Sequence, residues 1–313
     1  MCSENNKEVL LVTVIMVTYN SSAYVREAID SVLLQSYSNI ELIIGDDVST
    51  DDTWEIIQEF KDQRIRAYKN PINLGEYPNR NKAISLSKGE FIYFIDGDDL
   101  MLFRGIEDTL KDLVRFPKCE LAVVRPENPK FIGPIEIDRL DALNLEFFGG
   151  GVLDSSLANN IFRTAFLKKN LFLVEYKNSD QYSRILFLKS SNLLVLVTPI
   201  AIWRITKNQA SKKITIARQA RELLTFYQDY LFASPEYSEL NQNRLKRRYY
   251  RTLFSLIFSS FRNGDFHFYK LRNFLIDDWR FAFEIALHNK SEDVFWSHYN
   301  YYNINIYFKN KNK

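Results

Sequence analysis

Apolar runs typical of β-strands alternate with helical patterns along the first third of the chain. Between the runs, apolar residues recur at the three- and four-residue spacing of an amphipathic helix. The runs are Leu11–Val17, Ile40–Ile44 and Phe91–Ile95, and a further, less apolar strand is expected over Arg64–Lys69. Strands that alternate with helices over short connections predict right-handed βαβ units and a parallel sheet. Because such sheets bind ligands beyond the carboxyl ends of their strands, we expect the functional site at that edge.

The last of these runs ends in a cluster of carboxylates, Asp96, Asp98 and Asp99. Like charges this close repel one another unless a positive group lies between them. A divalent cation such as Mg²⁺ or Mn²⁺ supplies that charge, often with one or two carboxylates and the phosphates of a substrate as its ligands. The alternative is an inert, solvated turn. That alternative does not explain why Asp46 and Asp47 follow the second run in the same way.

Composition excludes several classes of protein. Hydrophobic residues make up 46% and charged residues 26% of the 313 residues, which is typical of a globular protein and not of a disordered one. A net charge of +2 is too small to indicate nucleic acid as a partner. The two cysteines, Cys2 and Cys119, form no disulfide framework, which fits a reducing cytoplasm. Val9–Val17 and Leu193–Trp203 are too short to span a bilayer, so we expect no membrane crossing.

The pattern weakens after residue 106 but still predicts α/β structure. We expect a helix over 105–116, a strand over 121–124, a strand entering a helix over 160–170, and a helix opened by Asp180. Leu193–Ile205 indicates one further buried strand. Gly149–Gly151 fits either the close approach of a ligand or a flexible loop. We place the end of this α/β domain near residue 212, so that it covers residues 1–212.

Residues 213–313 form a second region that is helix-prone, aromatic and basic, without β-runs. Five Lys or Arg residues lie between positions 244 and 251, directly before an apolar segment. One interpretation is a helical appendage that packs on the first domain and exposes its basic face. The other is a peripheral membrane surface, because each clustered basic side chain gains roughly 1 kcal/mol near an anionic leaflet.

Six ordered blocks along the first domain resemble the nucleotide-binding half of family 2 glycosyltransferases. The blocks are Val17–Asn20, Asp30–Tyr37, Glu41–Thr53, Asn73–Gly75, Arg80–Asn81 and Asp96–Asp99. The resemblance is dense over 11–104, sparser to about 212, and does not reach the C-terminal hundred residues. It implies a GT-A fold with a nucleotide-binding half (9–110) and an acceptor half (111–212). It also implies a nucleotide-sugar donor, a divalent metal and inversion at the anomeric carbon.

The resemblance assigns donor-binding roles to side chains at the strand ends. Thr18, Tyr19 and Asn20 would lie against the base and ribose, and Asp46 would accept a hydrogen bond from the nucleobase. Asp47 belongs to the same site in this interpretation, although Asp46 and Asp47 fit equally well as caps of the following helix.

The acidic cluster and two basic residues complete the implied donor site. Arg80 would pack near the base, Asp96 would hold the ribose, and Asp98 would bind Mn²⁺ or Mg²⁺ on the diphosphate. Asp99 would support the site or cap the next helix. Arg204 matches a segment that closes over the diphosphate in relatives, and its alternative is a plain surface charge.

Inverting transfer requires a base that takes the proton from the acceptor hydroxyl. By resemblance this base is Asp180, within a position that is often a Glu-Asp pair in the family. Ser179 replaces the first member of that pair here. The alternative for Asp180 is a helix N-cap.

These residues together predict transfer of one sugar from a UDP-sugar to a hydroxyl of a glycan or lipid-linked acceptor. The expected setting is bacterial surface polysaccharide assembly, in the cytoplasm or at the inner face of the membrane. Neither a Gln-x-x-Arg-Trp segment nor a membrane span is present, which favours a single addition over polymer synthesis. One alternative is a catalytically silent nucleotide-sugar-binding or scaffold protein. A nucleotidyltransferase is a second alternative, but the chain lacks the expected N-terminal glycine-rich loop.

Overall fold

An eight-stranded sheet, mostly parallel and flanked by helices, confirms the fold class expected from the alternating pattern. It is seen in a computed structural model, which describes residues 10–125, 132–206, 216–232, 244–246 and 248–249. The strands are β1 (Val12–Thr18), β2 (Ile40–Asp46), β3 (Ile65–Lys69), β4 (Phe91–Asp96), β5 (Leu100–Met101), β6 (Cys119–Val124), β7 (Ile135–Ile137), β8 (Asn160–Arg163), β9 (Asn192–Leu196) and β10 (Ala201–Ile202). The order in the sheet is β3-β2-β1-β4-β8-β6-β9-β7.

Eight α-helices connect and cover these strands in the described part of the chain. They are α1 (Val25–Leu33), α2 (Thr53–Glu59), α3 (Glu76–Leu86), α4 (Gly105–Arg115), α5 (Arg139–Phe148), α6 (Thr164–Lys169), α7 (Ser179–Phe187) and α8 (Ile216–Phe226). A short 3-10 turn spans Leu157–Asn159, and a π-helical turn, Tyr227–Phe232, follows α8. Helix α1 shows why the pattern works, because its apolar positions Val25, Ala28, Ile29 and Val32 are all buried.

The first four strands form the parallel part of the sheet, with β1 at its centre. Strand β1 pairs in parallel with β2 on one side and with β4 on the other, and β2 pairs in parallel with β3. All residues of β1 and β2 are buried, as expected for strands covered by helices on both faces. Strand β8 then runs antiparallel to both β4 and β6, which makes the second half of the sheet mixed.

The prediction of one continuous strand over Leu193–Ile205 is wrong. Two strands occupy this stretch, with β9 in the main sheet and β10 in a separate two-stranded pairing with β5. Pro199 lies between them, and proline has no N–H to donate to a sheet ladder. The break turns the chain, and Leu102 N donates to Ile200 O at 2.8 Å where the two segments meet.

The described residues belong to two compact units. The larger contains 10–125, 132–206 and 225–232, and the smaller contains 216–224, 244–246 and 248–249. The predicted boundary near residue 212 falls outside the described residues and stays a prediction. In the basic segment, Arg244 and Lys246 are exposed while Leu245 and Tyr249 are buried. The helices that the structure describes include none long and apolar enough to cross a bilayer.

Candidate active site

The carboxyl ends of β1, β2 and β4 lie at one edge of the sheet. Thr18 at the end of β1 pairs with Asp46 at the end of β2, and Val17 pairs with Asp96 at the end of β4. The register therefore places both acidic segments predicted from the sequence on either side of the Thr18–Asn20 loop. This is the edge at which a parallel sheet of this type binds ligands.

Hydrogen bonds tie the loops after β1 and β2 together. Thr18 Oγ1 donates to Asp46 Oδ1 at 3.2 Å, and Ser49 N donates to Asp46 Oδ2 at 3.0 Å. Thr50 N donates to Asn20 Oδ1 at 2.8 Å. Asp46 is fully buried, so its carboxylate supports the loop in this structure. Its contact with a nucleobase stays a prediction. Tyr19, in contrast, exposes its ring at the strand end.

Two residues in these loops have positive φ angles. Asn20 has φ of 53°, a conformation that asparagine tolerates, whereas Val48 has φ of 65°. A β-branched residue in the left-handed region is an outlier that costs about 1–2 kcal/mol. Strain of this kind is common at ligand sites, where the surrounding contacts hold it in place.

The carboxylate of Asp47 holds the turn that leads into α3. Leu74 N donates to Asp47 Oδ1 and Gly75 N donates to Asp47 Oδ2, each at 2.8 Å. Gly75 has φ of 88°, which favours glycine. The alternative that Asp46 or Asp47 caps α2 is wrong, because Thr53 N donates to Asp51 Oδ1 at 3.1 Å instead.

A buried guanidinium pairs with the carboxylate at the end of β4. Arg80, on α3, is 1% exposed, and its Nη2 lies 2.5 Å from Asp96 Oδ1 and 3.1 Å from Glu76 Oε1. Its guanidinium carbon also lies 5.6 Å from the centre of the Phe94 ring. The structure thus brings together two of the predicted donor-binding residues, Arg80 and Asp96, while the roles of both in donor binding remain predictions.

The other two carboxylates of the cluster have raised pKa values. Burial, and then the charge of Asp96, raise the pKa of Asp98, whose Oδ2 accepts from Thr206 Oγ1 at 3.1 Å. The same two causes raise the pKa of Asp99 to about 7. Arg204 N donates to Asp99 Oδ1 at 2.9 Å. The raised pKa values of Asp98 and Asp99 mean that their ionised forms are disfavoured here, so an added positive charge would favour ionisation.

These carboxylates fit a divalent cation that is completed by substrate. No group of three or more His, Cys, Asp or Glu side chains is placed to hold a metal among the described residues. Mg²⁺, however, commonly binds through one or two carboxylates together with substrate phosphates. Asp99 Oδ2 is buried and has no hydrogen-bond partner in the part of the chain described, so the negative charge here is incompletely compensated. Asp98 is the side chain that we expect to hold such an ion.

Arg204 lies at the same edge of the sheet as the acidic cluster. Its guanidinium donates to the backbone carbonyl of Asp98 and lies 4.9 Å from the centre of the Tyr24 ring. Nη1 also lies 2.5 Å from Glu27 Oε2. The structure therefore brings Arg204 close to the predicted metal ligand, whereas its contact with a diphosphate stays a prediction.

Asp180 lies in the first turn of α7, and its carboxylate is 22% exposed. Tyr77 Oη donates to Asp180 Oδ1 at 2.8 Å, and Arg184 Nη2 donates to Asp180 Oδ2 at 3.0 Å. Asn178 is the N-cap residue of α7, so the alternative that Asp180 is a simple N-cap is wrong. The carboxylate instead faces α3, next to the pair formed by Arg80 and Asp96.

Sequence reasoning missed three residues of this site. Arg184 stands four positions after Asp180, a spacing at which helix side chains meet, so the helical pattern carried a signal for it. Glu76 stands four positions before Arg80, so the same helical signal was present for it. Tyr77 carried none, because its partner Asp180 lies 103 residues away in the sequence. Partial burial, and then the charges of Asp96 and Asp180, raise the pKa of Glu76 against the opposing charge of Arg80.

Comparison with known proteins identifies the family to which this chain belongs. Residues 13–171 match the model of the family described as glycosyl transferase family 2, which is half of the chain. The chain belongs to glycosyltransferase family 2. The family match includes both strand-end acidic segments and α3, and it stops before Asp180.

Two curated family relatives are similar to the first part of the chain. The UDP-Glc:alpha-D-GlcNAc-diphosphoundecaprenol beta-1,3-glucosyltransferase WfaP of Escherichia coli is 46% identical over 89 residues, 28% of this chain and 36% of the relative. The putative teichuronic acid biosynthesis glycosyltransferase TuaG of Bacillus subtilis is 41% identical over 91 residues, with the same shares of both chains. The matched segment thus spans only about a third of the length of each relative.

Solved structures of glycosyltransferases share the fold of this family member. S. aureus TarS 1-349 aligns with a TM-score of 0.60 over 77% of this chain and 72% of its own, at 20% identity. The mannosyltransferase PcManGT from Pyrobaculum calidifontis, solved with GDP-Man and Mn²⁺, aligns with a TM-score of 0.57 over 80% and 74%, at 16% identity. The predicted GT-A fold is therefore confirmed.

Proposed function

We propose that this chain is an inverting glycosyltransferase that moves one sugar from a UDP-sugar to a hydroxyl of a glycan or glycolipid. The observation that carries the proposal is the convergence of two acidic groups on the first turns of α3. Arg80 of this helix binds Asp96, which lies at the carboxyl edge of the sheet where the donor is expected (the donor edge). Tyr77 of the same helix binds Asp180. A donor held at the strand ends would therefore present its sugar close to the proposed base.

The reaction follows from this arrangement. Asp180 accepts the proton of the acceptor hydroxyl while the hydroxyl oxygen bonds to the anomeric carbon of the sugar. The bond between that carbon and the diphosphate oxygen breaks, its electron pair leaves with UDP, and the configuration inverts. A Mn²⁺ or Mg²⁺ ion held by Asp98 would neutralise the charge that builds on the diphosphate.

Relatives and fold neighbours support the choice of substrates. The name of WfaP gives a UDP-sugar donor and a diphosphoundecaprenol-linked acceptor. TarS 1-349 has been solved with UDP-GlcNAc, at a TM-score of 0.60 to this chain. We therefore propose a UDP-sugar donor, a lipid-linked acceptor in bacterial surface polysaccharide assembly, and action in the cytoplasm at the inner face of the membrane.

A membrane role for the basic segment forms a separate proposal. Leu245 and Tyr249 lie one helical turn apart and are both buried, which gives this segment an apolar face. Arg244 and Lys246 are exposed on either side of Leu245, as expected for an amphipathic helix with basic flanks. Arg248 is partly buried, and the other predicted basic residues, Arg247 and Arg251, lie outside the described residues. Flotation with anionic and neutral vesicles at low and high salt tests this proposal, and equal recovery with both lipids would contradict it.

A transfer assay tests the proposed activity directly. The purified chain is incubated with Mn²⁺, a prenyl-diphosphate-linked GlcNAc acceptor, and UDP-glucose, UDP-GlcNAc or UDP-galactose in turn, and the products are weighed by mass spectrometry. We expect an acceptor enlarged by one hexose or N-acetylhexosamine with one of the donors. If the chain binds UDP but neither transfers a sugar nor hydrolyses any donor, the result would favour the silent sugar-binding protein instead.

A further inference from the structure

The carboxylate of Asp180 is held from two sides. Tyr77 Oη donates to Oδ1 at 2.8 Å from α3, and Arg184 Nη2 donates to Oδ2 at 3.0 Å from within α7. One hydrogen bond to each oxygen fixes the rotation of the carboxylate about its terminal torsion. Since an ionised carboxylate has about four acceptor positions, lone pairs remain on both oxygens for an incoming hydroxyl.

The guanidinium of Arg184 is itself anchored in the acceptor half. Arg184 is 2% exposed, and its Nη1 donates to Ser155 O at 2.9 Å and to Asn160 Oδ1 at 3.1 Å. Its Nε donates to the backbone oxygen of Asp180 at 3.0 Å. These partners fix the orientation of the planar guanidinium, so the hydrogen bond from Arg184 reaches Asp180 from one defined direction.

Tyr77 is carried by α3 of the nucleotide-binding half, and its ring packs against Phe172 of the acceptor half. Its ring is buried and lies 5.9 Å from the ring of Phe172, centre to centre. The neighbouring residue Glu76 shares Arg80 Nη2 with Asp96, which ends β4. Through Tyr77, α3 therefore connects Asp180 to the end of β4, where predicted donor-binding residues lie.

We propose that Tyr77 and Arg184 are positioning residues that aim the carboxylate of Asp180 at the acceptor hydroxyl. The proposal rests on the proposed transferase function. Proton transfer requires the base within hydrogen-bond reach of the hydroxyl, and a misplacement of about 1 Å costs on the order of a hundredfold in rate. Neither residue touches the reacting atoms, so their effect is on turnover and not on donor affinity.

Tyr77→Phe tests the proposal with little change in packing, because phenylalanine keeps the ring and loses only the hydroxyl. We expect kcat to fall about ten- to a hundredfold, with the KM for the donor, the affinity for UDP and the Tm close to wild type. Tyr93→Phe is the matched control. Tyr93 is a buried tyrosine of β4 whose hydroxyl lies 2.9 Å from Thr109 Oγ1, away from Asp180, and this variant is expected to keep the wild-type kcat.

Arg184→Lys provides a second variant, because one ammonium cannot reach Asp180, Ser155 and Asn160 in the same geometry. Its kcat is also expected to fall while UDP affinity is kept. Wild-type kcat in Tyr77→Phe, or parallel losses of kcat, UDP affinity and Tm, would overturn the proposal and leave the transferase function standing. Absence of transfer by the wild-type chain would refute the function, and the positioning proposal with it.

Discussion

At the scale of the residue, the neighbours of each carboxylate decide what that carboxylate can do. The carboxylate of Asp46 accepts hydrogen bonds within its own loop, and that of Asp47 accepts them from the turn before α3, so both carboxylates support the local structure of the site. Asp96 and Asp180 keep part of their carboxylate surface exposed, at 37% and 22%. The sequence places all four in acidic or helix-opening positions, and only the contacts separate the structural pair from the accessible pair.

Replacement of the proposed base should separate chemistry from binding. Asp180→Asn keeps an oxygen that can accept from Tyr77, but the amide cannot take a proton. We expect turnover to fall about 10²–10⁴-fold, with UDP affinity unchanged, as measured by a radiolabelled sugar-transfer assay at saturating acceptor. An unchanged rate would move the base elsewhere, with Asp154 and Glu175 as the next candidates. Asp154 is exposed, and the carboxylate of Glu175 accepts from Val174 N and Tyr230 Oη.

The buried carboxyl of Asp99 makes stability depend on pH in the metal-free protein. Its pKa is about 7 in the folded chain, against a usual value of 3.8. Because the folded state binds this proton more tightly, the group lowers stability increasingly as pH rises from about 4, and the loss levels off above about 7. Asp99→Asn removes this titration.

Thermal unfolding in EDTA at several pH values measures the effect of Asp99. We expect the Tm difference between Asp99→Asn and wild type to shift in favour of the variant between pH 4 and pH 7, and to stay constant above pH 8. A difference that is the same at all these pH values would contradict the raised pKa.

At the scale of the element, α3 links most of the site. Its Asn79 binds Gly45 O of β2 at 2.8 Å, its Arg80 binds Asp96 of β4, and its Tyr77 binds Asp180 of α7. The helix begins where Asp47 holds the turn before it. Displacement of α3 would therefore disturb the donor edge and the proposed base together.

Glycine at position 45 allows α3 to lie this close to β2. A Cβ built there would meet Tyr68 Oη at 2.6 Å and Asn79 Oδ1 at 2.7 Å. We expect Gly45→Ala to destabilise the fold by about 1–3 kcal/mol through overpacking, measured by urea unfolding. Gly133→Ala is the matched control, because its Cβ would meet nothing within 4 Å, and its effect should stay within about 0.5 kcal/mol. Equal stability of the two variants would contradict the close packing.

The sequence predicted local elements well and contacts between distant elements poorly. The buried runs at β1, β2 and β4 and the acidic residues at their ends were readable, because each signal lies within a few neighbouring residues. The Tyr77–Asp180 bond joins positions 103 residues apart, and no periodicity carries that information. The prediction of one continuous strand over Leu193–Ile205 failed for a related reason. Apolar character indicates that a segment is buried, but not which strand the segment pairs with.

At the scale of the whole molecule, the order of strands places the predicted nucleotide-binding and acceptor halves against each other. Strand β4 borders β1 on one side and β8 on the other, so the acidic cluster stands where the two halves meet. The base of an inverting reaction must lie across from the donor, and the proposed base, Asp180, stands on α7 in the second half. The affinity for a donor bound at the strand ends should therefore depend on residues of the first half, and the rate of transfer should depend on Asp180.

Calorimetric titration of UDP, with Mn²⁺ and with EDTA, tests this division of roles most directly. We expect wild type and Asp180→Asn to bind UDP more tightly with Mn²⁺ than with EDTA. Asp98→Ala should bind UDP with the same weak affinity in both conditions, because it lacks the carboxylate proposed to hold the ion. Failure of the wild-type chain to bind UDP, or a Mn²⁺ enhancement that survives in Asp98→Ala, would contradict the account.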